Sequence, residues 1–343
     1  MKIFITGESG TIPMAMQHIA KEKQNFEIVN SQLNNVYGIK VFKKHQSFKI
    51  RESEIDFLDK KLLFNKLDSL WKKVDVIIHS GAFVGTDFCQ ANPSGAIKTN
   101  AEGTKNIVDI CNKYNINLVY LSTTAIFDPT DYSITKPITE STKINPQTLY
   151  GITKYTGEQI VDKLCKTQKL IVRPVFGFGN YPDDLHSALT KIIYVLYHNY
   201  FIAEPININI LLDPRITKSY IRVENLANII LKLIEQNIWQ EKINIGESFK
   251  KSLDWFDIFY IIKKQFSKLI IDNCFNKAIN INNKAINFIP SKDYLHYHNM
   301  SGSRLRSMDI DLDSMKDYID IDTGIYMTCK SVISNITKKP YWI

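Results

Sequence analysis

The five cysteines, Cys89, Cys111, Cys165, Cys274 and Cys329, are scattered and odd in number, and no two stand in a C-x-x-C. That spacing supports neither a disulfide framework nor a zinc site. No apolar run approaches the roughly 18 residues that crossing a bilayer takes. The start lacks a secretory signal's charged opening and long apolar stretch, since Met1 leads straight into "KIFIT". No internal repeat recurs at a fixed period. Basic residues outnumber acidic ones 43 to 35, a formal charge of +8, yet they gather into nothing longer than pairs such as Lys43-Lys44 and Lys338-Lys339. An excess spread that thinly draws anionic small molecules mildly and argues against nucleic acid as a partner. The expectation is a reduced, cytoplasmic protein that binds neither nucleic acid nor membrane.

What is present is enough for a large core: 343 residues, 44% of them hydrophobic. Short apolar runs alternate with amphipathic stretches. Strands are expected at 2–6, 26–30, 74–82, 117–123 and 169–175, with helices at 11–23, 59–72, 93–114 and 146–166. A polar stretch running to about residue 55 carries a strand or two. This alternation predicts an α/β fold with a doubly wound parallel sheet, which places ligands at the carboxyl ends of its strands. After residue 176 the rhythm breaks. Residues 185–200 read as helix, and 219–236 as strand then helix. Two domains are expected, 1–176 and a smaller α/β lobe at 177–343, with segments around 219–246 returning to the first.

"GESGTIP" follows the first strand and has glycines at 7 and 10, but proline at 13 where a dinucleotide loop carries a third glycine. The first glycine permits a tight turn and the second lets a diphosphate approach the helix N-terminus. Proline within the first helical turn costs no hydrogen bond. The second strand ends Val29-Asn30-Ser31-Gln32, without the acid that would hold adenosine ribose hydroxyls and without an arginine for a 2′-phosphate. NAD and NADP both stay open.

"TLYGITKYTGEQIV" places Tyr150 and Lys154 one helical turn apart, and "LVYLSTTAIF" ends a strand in hydroxyls at 122–124. A phenol with a pKa of about 10 is a poor acid or base at neutral pH. A nearby ammonium lowers it, and a hydroxyl can orient the substrate oxygen, so the set suits a proton relay beside a hydride carrier. His79 reads as a hydrogen-bonded structural histidine. His296 and His298 lack further metal ligands, Trp71, Trp239 and Trp255 read as core, and Cys89 reads as a small packing residue.

Taken in order, the G-x-x-G loop, "VIIHSGA", "KTNAEGTKNIV", "LVYLSTTAIF", "YGITKYTGEQ" and "IVRPVFGFG" resemble the extended branch of the short-chain dehydrogenase/reductase superfamily, whose members mostly act on nucleotide sugars. The resemblance covers residues 1–180 and "YIRVENLA" at 220–227. It implies a Rossmann sheet with NAD or NADP and a C-terminal nucleotide-sugar lobe. It further implies that Tyr150 is the acid/base, Lys154 its partner on the nicotinamide ribose, and Thr123 the catalytic hydroxyl. Gly7, Gly10, Thr11 and Ile12 would line the diphosphate, and Asp56 and Phe57 would frame adenine. Ser80, Gly81, Ala82, Asn100 and Arg173 complete the implied cofactor set. Thr124, Phe176, Arg215, Lys218 and Arg304 fall at implied substrate positions. Such relatives often form homodimers through the two long helices, here about 93–114 and 146–166.

Thr124 and Ala125 stand where dehydratases of this branch carry an Asp-Glu pair, and the cysteine of the GDP-fucose-synthase type is absent. "STTAIFDP", with Tyr132 and Glu140 following, is similar to the dTDP-4-dehydrorhamnose-reductase type. The expectation is an NAD(P)-dependent C4 keto reductase of a nucleotide-linked sugar. A 4-epimerase or 4-dehydrogenase with tightly held NAD is the alternative, and a non-catalytic dinucleotide-binding protein is more remote.

Overall fold

A computed structural model describes residues 1–8, 10–31, 56–128, 137–179, 188–201, 208–211, 219–246, 253–272, 286–289, 303–308, 310, 315 and 318–335. Six parallel strands form the main sheet: β1 (Lys2–Thr6), β2 (Glu27–Ile28), β3 (Val76–His79), β4 (Asn117–Leu121), β5 (Lys169–Pro174) and β9 (Glu241–Ile245). Their spatial order is β2-β1-β3-β4-β5-β9. The order reverses between β1 and β3, so a crevice opens above the carboxyl ends of those two strands.

Side chains alternate between two cores, as the near-continuous apolar runs require. Ile3, Ile5, Val119, Leu121 and Val172 face one, built with Ala15, Met16 and Ile19 of α1 (Thr11–Glu22). Phe4, Ile77, Leu118 and Tyr120 face the other, with Leu70 and Trp71 of α2 (Asp68–Trp71). After a short α3 (Thr86–Ala91), the second core also takes Ile107, Val108 and Ile110 from α4, and Val161 from α5 (Leu149–Leu164). α4 runs unbroken over 93–114 and includes a π-helical stretch, Lys98–Gly103.

The expected α/β fold, its parallel strands and the helix at 93–114 are all present. Two elements differ from expectation. β2 pairs over two residues only, because Asn30 takes over the strand's role with its side chain. Its Oδ1 accepts from Ile5 N–H at 2.8 Å and its Nδ2 donates to Ile5 O at 2.6 Å. The helix expected at 59–72 contains a π turn, Leu62–Lys66, whose Leu62 N–H is taken by Asp59 Oδ1. The further strands expected before residue 55 lie outside the described residues.

The later chain adds β6 (Phe176–Phe178) paired with β8 (Tyr220–Arg222), and β7 (Ile208–Leu211) paired with β10 (Ile286–Ile289). Between these lie α6 (Ala188–Phe201), α7 (Val223–Glu235) and α8 (Trp255–Asp272). α9 (Ser303–Arg306) and α10 (Ile321–Asn335) follow. Leu189, Ile192, Trp255, Ile258, Phe266 and Ile325 build a third core. The segment 219–246 does return: α7 packs on α1, and β9 extends the main sheet beside β5. Trp71 and Trp255 are buried and Trp239 is half-buried. Among the described residues no helix is long and apolar enough to cross a membrane.

Candidate active site

Gly7 leaves β1 with φ +67°, and a Cβ placed on it would lie 2.7 Å from Gly81 Cα. Glycine is therefore needed twice over, for the left-handed turn and for the near contact of the two strand ends at the switch point. Gly10 precedes the first residue of α1, and its N–H donates to Gly7 O at 3.0 Å. No side chain caps α1, so the amides of its first turn face outward for an anion. Pro13 fits because it has no N–H to satisfy there. It is buried, and its ring would be 3.3 Å from a Cβ on Gly10. Thr11 and Ile12 lie half-buried on the same turn. The two glycines and the uncapped amides of α1 suit the charge of a dinucleotide diphosphate.

Beneath it runs a buried chain. The Thr104 hydroxyl donates to Asn100 O at 2.7 Å, so His79 Nε2–H must donate to Thr104 Oγ1 at 3.1 Å. His79 Nδ1 then accepts from the Thr6 hydroxyl at 2.7 Å, whose oxygen accepts from Gly81 N–H at 2.9 Å. Burial, with Lys154 nearby, pushes His79 down to about 3, so its ring is neutral. This is the structural histidine expected from the sequence. Phe57 supports the same turn from below, since a Cβ on Gly81 would meet its ring at 2.6 Å. Asp56 is exposed and binds Leu58 N–H. Ser80 and Ala82 are half-buried on the turn.

The candidate reactive residues lie at the end of β4 and the start of the following helix. Thr123 ends the strand's extension, and its Oγ1 accepts from Ala125 N–H at 3.2 Å. Thr124 follows it and is buried. α5 begins with Thr148 as cap, its Oγ1 accepting from Gly151 N–H at 3.1 Å. A Cβ on Gly151 would stand 2.2 Å from Ala125 O, so only glycine lets the first turn of α5 rest on the 123–126 turn. That contact sets the Tyr150 phenol beside Thr123. Burial pushes the Tyr150 phenol up to about 12, against the pull of Thr123. Cys89, fully buried with Sγ on Phe83 O at 3.4 Å, adds to the upward push.

Lys154 lies one turn further along α5 and is 2% exposed. Its Nζ donates to Leu121 O at 2.6 Å and sits 4.3 Å from the centre of the Tyr120 ring. Burial lowers it to about 7, with Glu158 pulling the other way. Gly157 allows this close seating, since a Cβ there would meet Tyr120 Oη at 2.1 Å. Asn100 ties the assembly together. Its amide bonds both the N–H and the carbonyl of Phe83, and it donates to Thr153 Oγ1 at 2.9 Å, which in turn donates to Tyr150 O.

Two implied ligand residues are placed otherwise. Arg304 stands at the amino-terminal end of β9, paired with Glu241, whereas a parallel sheet binds at the opposite end. Arg173 is 1% exposed and holds Glu158 through both Nε and Nη2, at 2.9 and 2.8 Å, which leaves it no surface for a cofactor. Phe176 is half-buried against Tyr220 and Trp255. Arg215, Lys218, His296 and His298 lie outside the described residues. Sequence reasoning missed Thr6, Thr104, Gly151 and Glu158. The strand-end threonine and the glycine directly after the tyrosine were the available signals.

The RmlD substrate binding domain family matches residues 1–246. The chain is 24% identical to a dTDP-4-dehydrorhamnose reductase of Aggregatibacter actinomycetemcomitans, over 71% of this chain and 75% of that one. It is 26% identical to a putative UDP-glucose 4-epimerase of Methanocaldococcus jannaschii, over 77% and 82%. It is 24% identical to a Dictyostelium discoideum dTDP-D-glucose 4,6-dehydratase over 73% of this chain, but spans 59% of that longer protein. The fold matches that of RMD from Pseudomonas aeruginosa complexed with NADPH, with TM-score 0.73 and 14% identity, over 97% and 99% of the two chains. It also matches a Bacillus cereus UDP-glucuronic acid 4-epimerase in complex with UDP-glucuronic acid and NAD, with TM-score 0.71 and 17% identity, over 97% and 99%. That family match spans more than half of the chain, and the chain belongs to the RmlD substrate binding domain family, among the extended short-chain dehydrogenase/reductase enzymes.

Proposed function

We propose that this chain is an NAD(P)-dependent oxidoreductase of a nucleotide-linked sugar and that it reduces a C4 ketone. The observation that supports the reading is the placing of Tyr150 beside Thr123 at the end of β4, with the buried Lys154 one turn along and the Gly7–Gly81 switch point on β1 and β3. The relatives act as reductases and epimerases of such sugars by name. The cradle of Gly7, Gly10, Thr11 and Ile12 would hold the diphosphate. Phe57 lies under the Gly81 turn, and Tyr150 with Lys154 would meet the nicotinamide ribose. A bound nicotinamide dinucleotide supplies the hydride. Thr123 holds the substrate oxygen, and the Tyr150 hydroxyl gives up its proton to that oxygen as charge develops on it. Lys154 then offsets the phenolate's charge.

Reduction takes its proton from the Tyr150 phenol, while epimerisation and dehydrogenation begin with an oxidation that needs a base. Thr124 and Ala125, in place of an acidic pair, speak against dehydration.

The test is a panel of UDP-, GDP-, CDP- and dTDP-linked 4-keto sugars with NADH and NADPH, followed by loss of reduced-nicotinamide absorbance. One pair should turn over, and Tyr150→Phe should lower kcat by about 10²-fold or more while cofactor still binds. Near-normal turnover by that variant would overturn the assignment.

A further inference from the structure

Lys154 and Glu158 are four residues apart on α5, and both are buried, at 2% and 1% exposure. Such spacing puts them on one helix face. The Glu158 carboxylate is gripped from β5 by Arg173, with both of its oxygens engaged and the cation equally buried. Phe127 closes one face of that guanidinium, 5.5 Å from its centre. A surface ion pair contributes little, because water competes with it. A buried one forgoes large hydration energies and is weak evidence for stability, so its retention beside a reactive amine calls for another account.

We propose that Glu158 and Arg173 are positioning residues of this site, their closed ion pair fixing the charge that Lys154 meets and so deciding whether that amine carries a proton. The carboxylate favours the ammonium, and the guanidinium blunts that carboxylate. Burial lowers the amine and the carboxylate pulls it back up, so the ion pair sets how far the lysine falls below its ordinary value. The other groups beside Lys154 are the Tyr120 ring and Leu121 carbonyl on β4 and His79 on β3, with Tyr150 one turn back on its own helix. His79 is neutral and the two tyrosines are held protonated by burial. The ion pair is thus the charged feature among these described neighbours.

The inference rests on Lys154 belonging to the site but is tested without substrate. Isotope-labelled lysine in the whole protein is titrated by NMR, with the Lys154 signal assigned from Lys154→Met. Glu158→Gln should move the Lys154 midpoint down by about one unit or more, and Arg173→Gln should move it up. A packing role alone would not give shifts of opposite sign. If either neutral variant fails to fold, Glu158→Asp should give a smaller fall and Arg173→Lys a midpoint near the parent's. A folded Glu158→Gln or Glu158→Asp with the parental midpoint overturns the proposal. Failure of every nucleotide sugar to turn over would instead sink the proposed function and leave this titration standing.

Discussion

Lys154 illustrates how one side chain ties stability to pH. Burial holds it near 7, whereas an unfolded chain leaves a lysine near its ordinary value. Below pH 7 both states are protonated and the fold bears the full cost of a buried charge. Between about 7 and 10 the unfolded chain binds more protons than the native one, so stability rises with pH through that window. Lys154→Met removes the effect. Urea midpoints of parent and variant should therefore differ most at about pH 6, in the variant's favour, and converge towards pH 10. Gly151 makes the complementary point about shape. Gly151→Ala places a methyl against a backbone carbonyl, which should cost about 1–3 kcal/mol in urea unfolding and separate Tyr150 from Thr123, with a matching loss of kcat. At this scale the sequence was legible where residue type carries chemistry: a tyrosine, a lysine and a threonine at fixed offsets need no coordinates to be suspected. It was opaque for the long cations. Whether an arginine meets a ligand or a glutamate depends on what packs against it, and the partners of Arg173 and Arg304 come from other elements, α5 and β9.

At the scale of elements, the entry to α1 shows why proline at 13 does no harm. The amide it lacks would have had no partner in the first helical turn. Pro13→Ala should accordingly shift unfolding free energy by about 1 kcal/mol or less. Gly7→Ala breaks two requirements at once, the positive φ and the contact with Gly81, and should abolish cofactor binding as read by nicotinamide fluorescence titration. β2 carries the opposite lesson. Its apolar letters suggested five strand residues, but Asn30 mimics a peptide with its amide and ends the ladder early. Asn30→Ala loses both bonds and should cost about 1–3 kcal/mol. Asn30→Asp would set a carboxylate against Ile5 O, which explains why the ribose acid of a dinucleotide fold has no room at this position. A pattern of hydrophobicity reveals where strands run, and it is silent on a side chain that imitates the backbone.

Taken whole, the molecule builds its first 246 residues as a family framework and its third core from segments beyond β5. That division explains the uneven legibility. The sheet repeats a strand-helix rhythm that a sequence displays openly, whereas the later lobe pairs short strands far apart in the chain, β6 with β8 and β7 with β10. Ile97 on α4 and Ile152 on α5 are both about half exposed, close to the Asn100–Thr153 bond that joins those helices. We expect the parent to run as a dimer in light scattering and the pair Ile97→Asp with Ile152→Asp to run as a monomer.

Among the described residues β9 pairs with one strand, β5, and Glu140 Oε1 accepts the Asn244 N–H of β9 at 2.9 Å. An acidic side chain thereby takes a strand N–H that would otherwise be offered for strand addition by a stranger's extended segment. Replacing Glu140 with alanine should leave the crevice chemistry intact and yet turn warm, concentrated solutions turbid.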